Sequence, residues 1–366
     1  MQPPITLIAG ARPNFMKIAP LVKALDARGV ARRIVHTGQH YDERMSETFF
    51  RELSIPEPDV NLGVGSGTHV AQIAGVMQGL ESDFTTHRPA AVVVVGDVNS
   101  TLAATIAANK LGIPVAHVEA GLRSGDRTMP EEINRILTDS IADWLFTSEP
   151  SGNANLKVEG VAEDRIHHSG NVMIDTQQSH LEAARSREPY RRWELDRCGY
   201  AVVTLHRPSN VDNPEHLQSI LTALETIARE IPIVFPVHPR TKARLADLGH
   251  NAATSAGRWI EIEPLGYIDM LGMVDGARLL LTDSGGLQEE TTAIQVPCLT
   301  LRENTERPIT VTEGSNQLVG WKTDNILEAA RKILAGPERI GKVPATWDGH
   351  AAERIADILL RTLGIA

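Results

Sequence analysis

The feature that most constrains this chain is a rhythm. Short apolar runs rich in Val and Ile recur between longer amphipathic stretches: ITLIAG, RRIVHTG, AAVVVVGD, PVAHVEAG and WLFTS, then YAVVTLH, PIVFPVH, WIEIEP, RLLLTDS and PCLTLR. Strands that are apolar on both faces belong in parallel sheets covered by helices on each side, and each parallel step needs a crossover. The pattern predicts repeated βαβ units in a doubly wound α/β architecture. The runs fall into two sets, and 366 residues exceed what one core ordinarily organises, so two Rossmann-like domains with a ligand cleft between them are expected. The charged, strand-free stretch 177–199 marks the connection, with a boundary between Asp175 and Glu188. We divide the chain into 1–175 and 176–348, and leave a last helix, Gly349 to Leu363, that the pattern alone assigns to neither.

Composition narrows the ligand. A formal charge of -10 with no basic run disfavours nucleic acid or an anionic membrane as the main partner, since both require a positive footprint. The two cysteines, Cys198 and Cys298, stand in neither a C-x-x-C nor a zinc spacing, which argues against a disulfide framework or a structural metal. The opening MQPPITLIAG has no basic leader, and no later stretch approaches the roughly 20 apolar residues of a membrane span. A cytoplasmic enzyme acting on a small ligand is expected.

In doubly wound sheets ligands sit beyond the carboxyl ends of the strands. Those positions carry Gly10, Arg12 and Lys17; Gln39 and His40; Gly96 and Asp97; Glu119 and Arg123; His206 and Arg207; His238; and Asp283 to Gly286. In LLLTDSGGLQEE a buried strand gives way through Ser284, Gly285 and Gly286 to a helix start, whose free N–H groups and dipole favour a diphosphate. A plain capped helix start reads the same way. Glu290, one turn in, is placed to accept ribose hydroxyls. A second Gly-led turn, AGARPNFMK, lacks G-x-G-x-x-G, yet sets the cations Arg12 and Lys17 at the unfavourable end of a helix dipole, where an anion would justify them.

Three carboxylates supply the chemistry. Asp97 follows AAVVVVG, Glu119 sits in VAHVEAGLRSG, and Glu131 lies in the first turn of a helix opened by Pro130, with an apolar stripe of Ile133, Ile136, Leu137, Ile141, Trp144 and Leu145. Carboxylates crowded together in partial burial become stronger bases, as proton abstraction from carbon requires. Arg135, four residues after Glu131, offers that glutamate a plain surface pair instead. His206 and His238, each at a strand end, read as electrostatic partners or acids, or as core histidines satisfied by backbone. Adjacent His167 and His168 have no ligand-spaced partner, so no metal site is read there, and the NST triplet at Asn99 is a chance glycosylation match.

Taken in order, GARPNFMK, TGQHYDERMS, GDVNSTLA, HVEAGLRSGD, MPEEINR, GNVMID, HRPSN, PVHPR, TDSGGLQEE and RENTERP resemble the non-hydrolysing UDP-N-acetylglucosamine 2-epimerases over about residues 5–320. The resemblance implies a GT-B-type pair of Rossmann-like domains, with a C-terminal helix at 349–366 crossing back to the first. It implies a homodimer, no cofactor, and reversible conversion of UDP-GlcNAc to UDP-ManNAc by loss and re-addition of UDP through 2-acetamidoglucal. Carried over by motif, the catalytic residues match Asp97, Glu119, Glu131 and His206, and the substrate-binding residues Arg12, Lys17, Ser284, Gly285, Gly286, Glu290 and Arg307. Gln39, His40 and His238 match a site where a second UDP-GlcNAc acts as activator in bacterial relatives. The sequence departs from the family pattern at Asn14, usually glutamate, and at Val98, usually threonine. A hydrolysing epimerase, an epimerase of a diacetamido-uronic acid sugar, a GT-B glycosyltransferase and a silent nucleotide-sugar sensor remain as alternatives.

Overall fold

The computed structural model describes residues 3–39, 52–53, 55–250 and 257–365. The backbone divides into two compact units, Met1–Thr176 with Ala345–Ala366, and Gln177–Pro344.

Unit 1 runs β1 (Ile5–Ala9), α1 (Arg12–Ala27), β2 (Arg32–His36), β3 (Val60–Asn61), α2 (His69–Thr86), β4 (Ala91–Val95), α3 (Asn99–Lys110), β5 (Val115–Val118), α4 (Pro130–Ile141), β6 (Trp144–Thr147), α5 (Pro150–Val158), β7 (Ile166–His168) and α6 (Val172–Arg187). The described strands form one sheet in the order β3-β2-β1-β4-β5-β6-β7, every pair parallel. Chain direction across the sheet reverses between β1 and β4, so the segments after these two strands open on the position where such folds bind ligands. The run AVVVV of β4 is buried throughout, as a strand covered on both faces must be.

Unit 2 repeats the plan with β8 (Ala201–Thr204), α7 (Pro208–Val211), α8 (Pro214–Ile227), β9 (Ile233–Pro236), α9 (Pro239–Asp247), β10 (Trp259–Ile262), α10 (Tyr267–Asp275), β11 (Leu279–Thr282), α11 (Gly285–Ile294), β12 (Cys298–Thr300), α12 (Ile309–Thr312), β13 (Asn316–Leu318) and α13 (Thr323–Ala335). The sheet order is β10-β9-β8-β11-β12-β13, again all parallel. Successive residues show why these runs read as unbroken apolar stretches. Ala201 and Val203 enter one core with Ile220, Leu224 and Phe235, while Val202 enters the opposite core with Tyr200, Val234 and Met273. Both faces are buried, so no alternation survives. This is the doubly wound α/β class expected, present twice, as in GT-B proteins.

The last helix, α14 (Ala351–Leu363), packs on α1 in unit 1. Asp175 caps it, accepting the Ala351 and Ala352 N–H groups at 3.1 and 2.7 Å. Burial raises the Asp175 pKa, the two backbone N–H groups opposing the shift.

The strand-free stretch 177–199 carries most of α6 and a 3-10 turn at Pro189–Trp193. Its arginines are used within unit 2, where Arg185 and Arg197 hold Asp275 and Arg187 and Arg192 hold Asp269. One reading of the sequence changes, in α4. Trp144 and Leu145 belong to β6, and the face α4 buries is polar: Glu132, Asn134, Arg135, Thr138 and Asp139. Of its apolar residues, Leu137 is 44% exposed, and Ile133, Ile136 and Ile141 are half-buried.

Candidate active site

In unit 1 the first loop is shaped by Asn14. Its Oδ1 accepts the N–H groups of Gly10 and Ala11, each at 3.0 Å, and its Nδ2 donates to the Val95 carbonyl at 3.1 Å. One amide thereby ties the end of β1 to the end of β4. A glutamate, acceptor-only when ionised, could not make the last bond, so the departure at position 14 supplies a donor across the switch point. Arg12 opens α1, its side chain lying outside the described part of the structure. Lys17, one turn on and buried, forms an ion pair with Glu119. Gly96 has φ +67°, and a β-carbon there would stand 2.8 Å from the Lys17 Nζ, so this position needs glycine for both backbone and space.

Glu119 is the strained residue of the unit. It sits just past β5 with φ 73°, a left-handed conformation that costs a non-glycine residue on the order of 1 kcal/mol or more. Its N–H and that of Ala120 both donate to the Phe146 carbonyl at 3.0 Å, and its side chain is buried against Lys17. Asp97, 21% exposed at the side chain, is paired with buried Arg135 at 2.6 Å; Arg135 also holds Glu132 at 2.6 Å. Arg135 is thus buried and bonded to Asp97 and Glu132, where the sequence suggested a surface pair with Glu131. The acids expected to crowd one another are instead each met by a cation, Asp97 by Arg135 and Glu119 by Lys17.

A cavity of ≈ 320 Å³ opens at this end of the sheet, lined by Gln39, His69, Asp97, Asn99, Glu131 and Asn134 among others. Val98 also lines it and precedes α3 as its N-cap residue. Inside its wall, Gln39 Oε1 accepts the Ser100 N–H and hydroxyl at 3.1 and 2.7 Å, and Asn99 donates to Gln72 at 2.8 Å. Asp97, Glu131 and Gln39 thus share one cavity, while Glu119 and Lys17 pair beside Gly96. His40 lies outside the described residues.

In unit 2 the corresponding ends carry His206 and Asp283. The fully buried Asp283 carboxylate lies 3.0 Å from His206 Nδ1 and also accepts the His206 and Arg207 N–H groups at 3.0 and 2.9 Å. Burial pushes the Asp283 carboxyl up, but the His206 contact and these N–H groups outweigh it and hold its pKa below the usual range. His238 caps α9, its Nδ1 accepting from the Arg240 N–H at 3.2 Å, with its ring centroid 6.4 Å from that of His206. Partial desolvation, with His206 and Arg240 nearby, lowers the His238 pKa and favours the neutral acceptor.

The candidate cradle lies where β11 gives way to α11. Ser284 is the N-cap residue of α11, and its N–H donates to Thr282 Oγ1 at 2.9 Å. A β-carbon at Gly285 would meet Arg307 Nη1 at 2.9 Å, whereas one at Gly286 would meet nothing within 4 Å. Arg307 is aimed by two carboxylates, Glu289 at 2.8 Å and Glu306 at 2.7 Å. Glu290 is buried, and its pKa is raised to about 7 by desolvation, against the Tyr267 hydroxyl and with the Glu289 charge adding to it. The contacts that give Asp283, Arg135 and Asn14 their place here, to His206, Asp97 and Val95, span long stretches of the chain, and no local spacing announces them.

Among the described residues no cluster of metal-ligating side chains occurs, and no helix is long and apolar enough to cross a membrane. The chain matches the family model of UDP-N-acetylglucosamine 2-epimerase over residues 23–360. It is 42% identical over 362 residues to the UDP-N-acetylglucosamine 2-epimerase of Methanocaldococcus jannaschii, covering 97% of this chain and 98% of that one. It is 41% identical over 361 residues to the UDP-2,3-diacetamido-2,3-dideoxy-D-glucuronate 2-epimerase of Pseudomonas aeruginosa, covering 98% and 99%. The crystal structure of the M. jannaschii enzyme in complex with UDP-GlcNAc and UDP superposes with a TM-score of 0.88 at 40% identity, covering 98% of this chain and 99% of that one. Matches this long, to chains of nearly the same extent, leave no part of either doubly wound unit unaccounted for: the chain belongs to the UDP-N-acetylglucosamine 2-epimerase family.

Proposed function

We propose that the chain interconverts UDP-GlcNAc and UDP-ManNAc without net hydrolysis. The observation that carries this reading is Glu119, held in a strained left-handed conformation against Lys17 at the carboxyl end of β5, with Asp97 and Glu131 on the neighbouring cavity. The C2 proton of the sugar is not adjacent to a carbonyl, so a base alone cannot remove it at a useful rate. In this reading the C2–H electrons form the C1=C2 double bond as the C1–O bond breaks, and the electron pair of that bond leaves with UDP. The reverse step adds UDP back to C1 while an acid returns a proton to the other face of C2. Unit 1 supplies the groups that move protons. Unit 2 supplies the stabilisation of the leaving diphosphate, through the first-turn N–H groups of α11, Arg307 and His206.

Turnover in deuterated water followed by NMR tests it. The expected product is UDP-ManNAc carrying deuterium at C2; free ManNAc would select the hydrolysing reaction, and product without C2 label would exclude the route. A second substrate is favoured by the P. aeruginosa relative, which is as similar as the M. jannaschii one. Turnover of the diacetamido-uronate nucleotide alone would move the chain to that substrate. We further propose that a second copy covers the side of α4 that exposes Leu137, and that the free thiols Cys198 and Cys298 fit a cytoplasmic location. Activation by a second UDP-GlcNAc at Gln39, His40 and His238 belongs to the same proposal.

A further inference from the structure

Behind the acids of unit 1 lies a second layer of buried charge. His117, on β5 and fully buried, has both ring nitrogens engaged: Nε2 is 2.8 Å from the Gly96 carbonyl and Nδ1 is 2.6 Å from Asp139 Oδ1. A carbonyl can only accept, so Nε2 carries a proton. The other oxygen of Asp139 accepts the Gly121 N–H at 3.0 Å and pairs with Arg123 at 2.7 Å. Burial works against this carboxylate, but the contacts with His117 and Arg123 outweigh it and hold its pKa below the usual range.

The endpoints of these bonds are informative. Gly96 immediately precedes Asp97, and Gly121 follows Glu119 by two residues. Gly96, Glu119 and Gly121 all have left-handed backbones, φ +67°, 73° and +77°. Such turns are held by bonds to their peptide groups, and the His117–Asp139 pair supplies one bond to each turn. α4 adds Arg135 on the Asp97 carboxylate and Glu132 on the Ser124 and Gly125 N–H groups at 2.9 and 3.0 Å. Apolar packing would stabilise unit 1 at least as well as buried charge, since replacing a buried ion pair by well-packed hydrophobic residues is often neutral or stabilising. What apolar packing cannot do is hold two particular peptide groups at a fixed spacing.

We propose that His117 and Asp139 act as one positioning unit, which fixes the turn bearing Asp97 against the turn bearing Glu119. The proposal rests on the reading of those two acids as the groups that move protons. Elimination at C2 and re-protonation on the opposite face require the two carboxylates at a set separation. If that separation loosens, the glycal intermediate escapes before UDP re-adds.

The test uses the full chain with His117→Leu/Asp139→Leu, which removes both partners together, and His117→Gln, whose amide N–H reaches Gly96 from the place of Nε2 but which loses the pair with Asp139. For the double variant the expected result is unchanged UDP affinity, KM within about threefold, kcat lower by about 10²-fold, and more free 2-acetamidoglucal per epimer formed. His117→Gln should recover about tenfold of the lost kcat and stay below wild type, with the glycal ratio still raised. A folded double variant with kcat within threefold of wild type overturns the proposal. So does a loss of kcat that follows only the folded fraction, counted by UDP-binding stoichiometry, with the glycal ratio unchanged. If the double variant does not fold, His117→Gln decides alone: wild-type kcat and a wild-type glycal ratio support the retained Gly96 bond as sufficient and overturn the paired unit, whereas a raised glycal ratio supports it. Failure of the functional reading itself is distinct, because the wild type would then give no C2-labelled epimer.

Discussion

Asp283 and His206 form a carboxylate–imidazole pair in which the aspartate is fully buried while the histidine keeps 42% of its side chain exposed. The carboxylate fixes Nδ1 as a donor and leaves Nε2 as the working nitrogen. Asp283→Asn keeps the shape but offers an N–H where an acceptor is needed. Steady-state kinetics should show kcat lower by about 10–100-fold. An unchanged kcat would remove the pair from the mechanism.

The Lys17–Glu119 ion pair is buried on both sides, so removing one partner strands the other charge. Glu119→Gln should lower unfolding free energy by about 3 kcal/mol, and Lys17→Met/Glu119→Gln should restore much of it. Neither should epimerise, and Glu119→Gln should still bind UDP. Denaturant titration with a turnover assay checks this; a double variant no more stable than either single variant would contradict the pairing.

The two cradle glycines should separate. Gly286→Ala places its β-carbon in open space, so stability should hold while UDP affinity drops at least about tenfold, since only the ligand approaches there. Gly285→Ala pushes against Arg307 and should lower stability as well. Calorimetric UDP binding with thermal unfolding distinguishes them, and tight UDP binding by Gly286→Ala would displace the diphosphate from α11.

Glu290 gives a pH signature. Its folded pKa is about 7, against the usual glutamate value of 4.5. The folded state therefore binds this proton more tightly than the unfolded chain. The contribution is fully favourable below about pH 4.5, declines as pH rises, and levels off above about 7, a loss of up to about 3 kcal/mol. Unfolding of wild type against Glu290→Gln from pH 5 to 8 should show a pH-dependent gap in favour of the variant at high pH. A gap that does not change with pH would refute the assignment.

The architecture was legible because ten of the strands fall in short apolar runs, most of them buried on both faces, a pattern few other structures tolerate. The strands that escaped, β3, β7 and β13, span two or three residues at or beside the sheet edges and carry no apolar run. Positions after strands led to Asp97, Glu119 and His206, since topology puts ligands there. What holds those residues was not legible: Arg135 reaches Asp97 across 38 positions, and Asp283 reaches His206 across 77. The stripe of α4 was read too long, running into Trp144 and Leu145 of β6, and it says nothing of the face the helix buries, which is the charged one.

In the homodimer proposed above, this arrangement would tie association to turnover. One helix carries Arg135 and Asp139 inward and leaves Leu137 exposed on its other side, so a second copy seated there would also set how firmly the inner charges grip Asp97 and Gly121. On that reading specific activity should depend on protein concentration, falling as the chain is diluted below its association range.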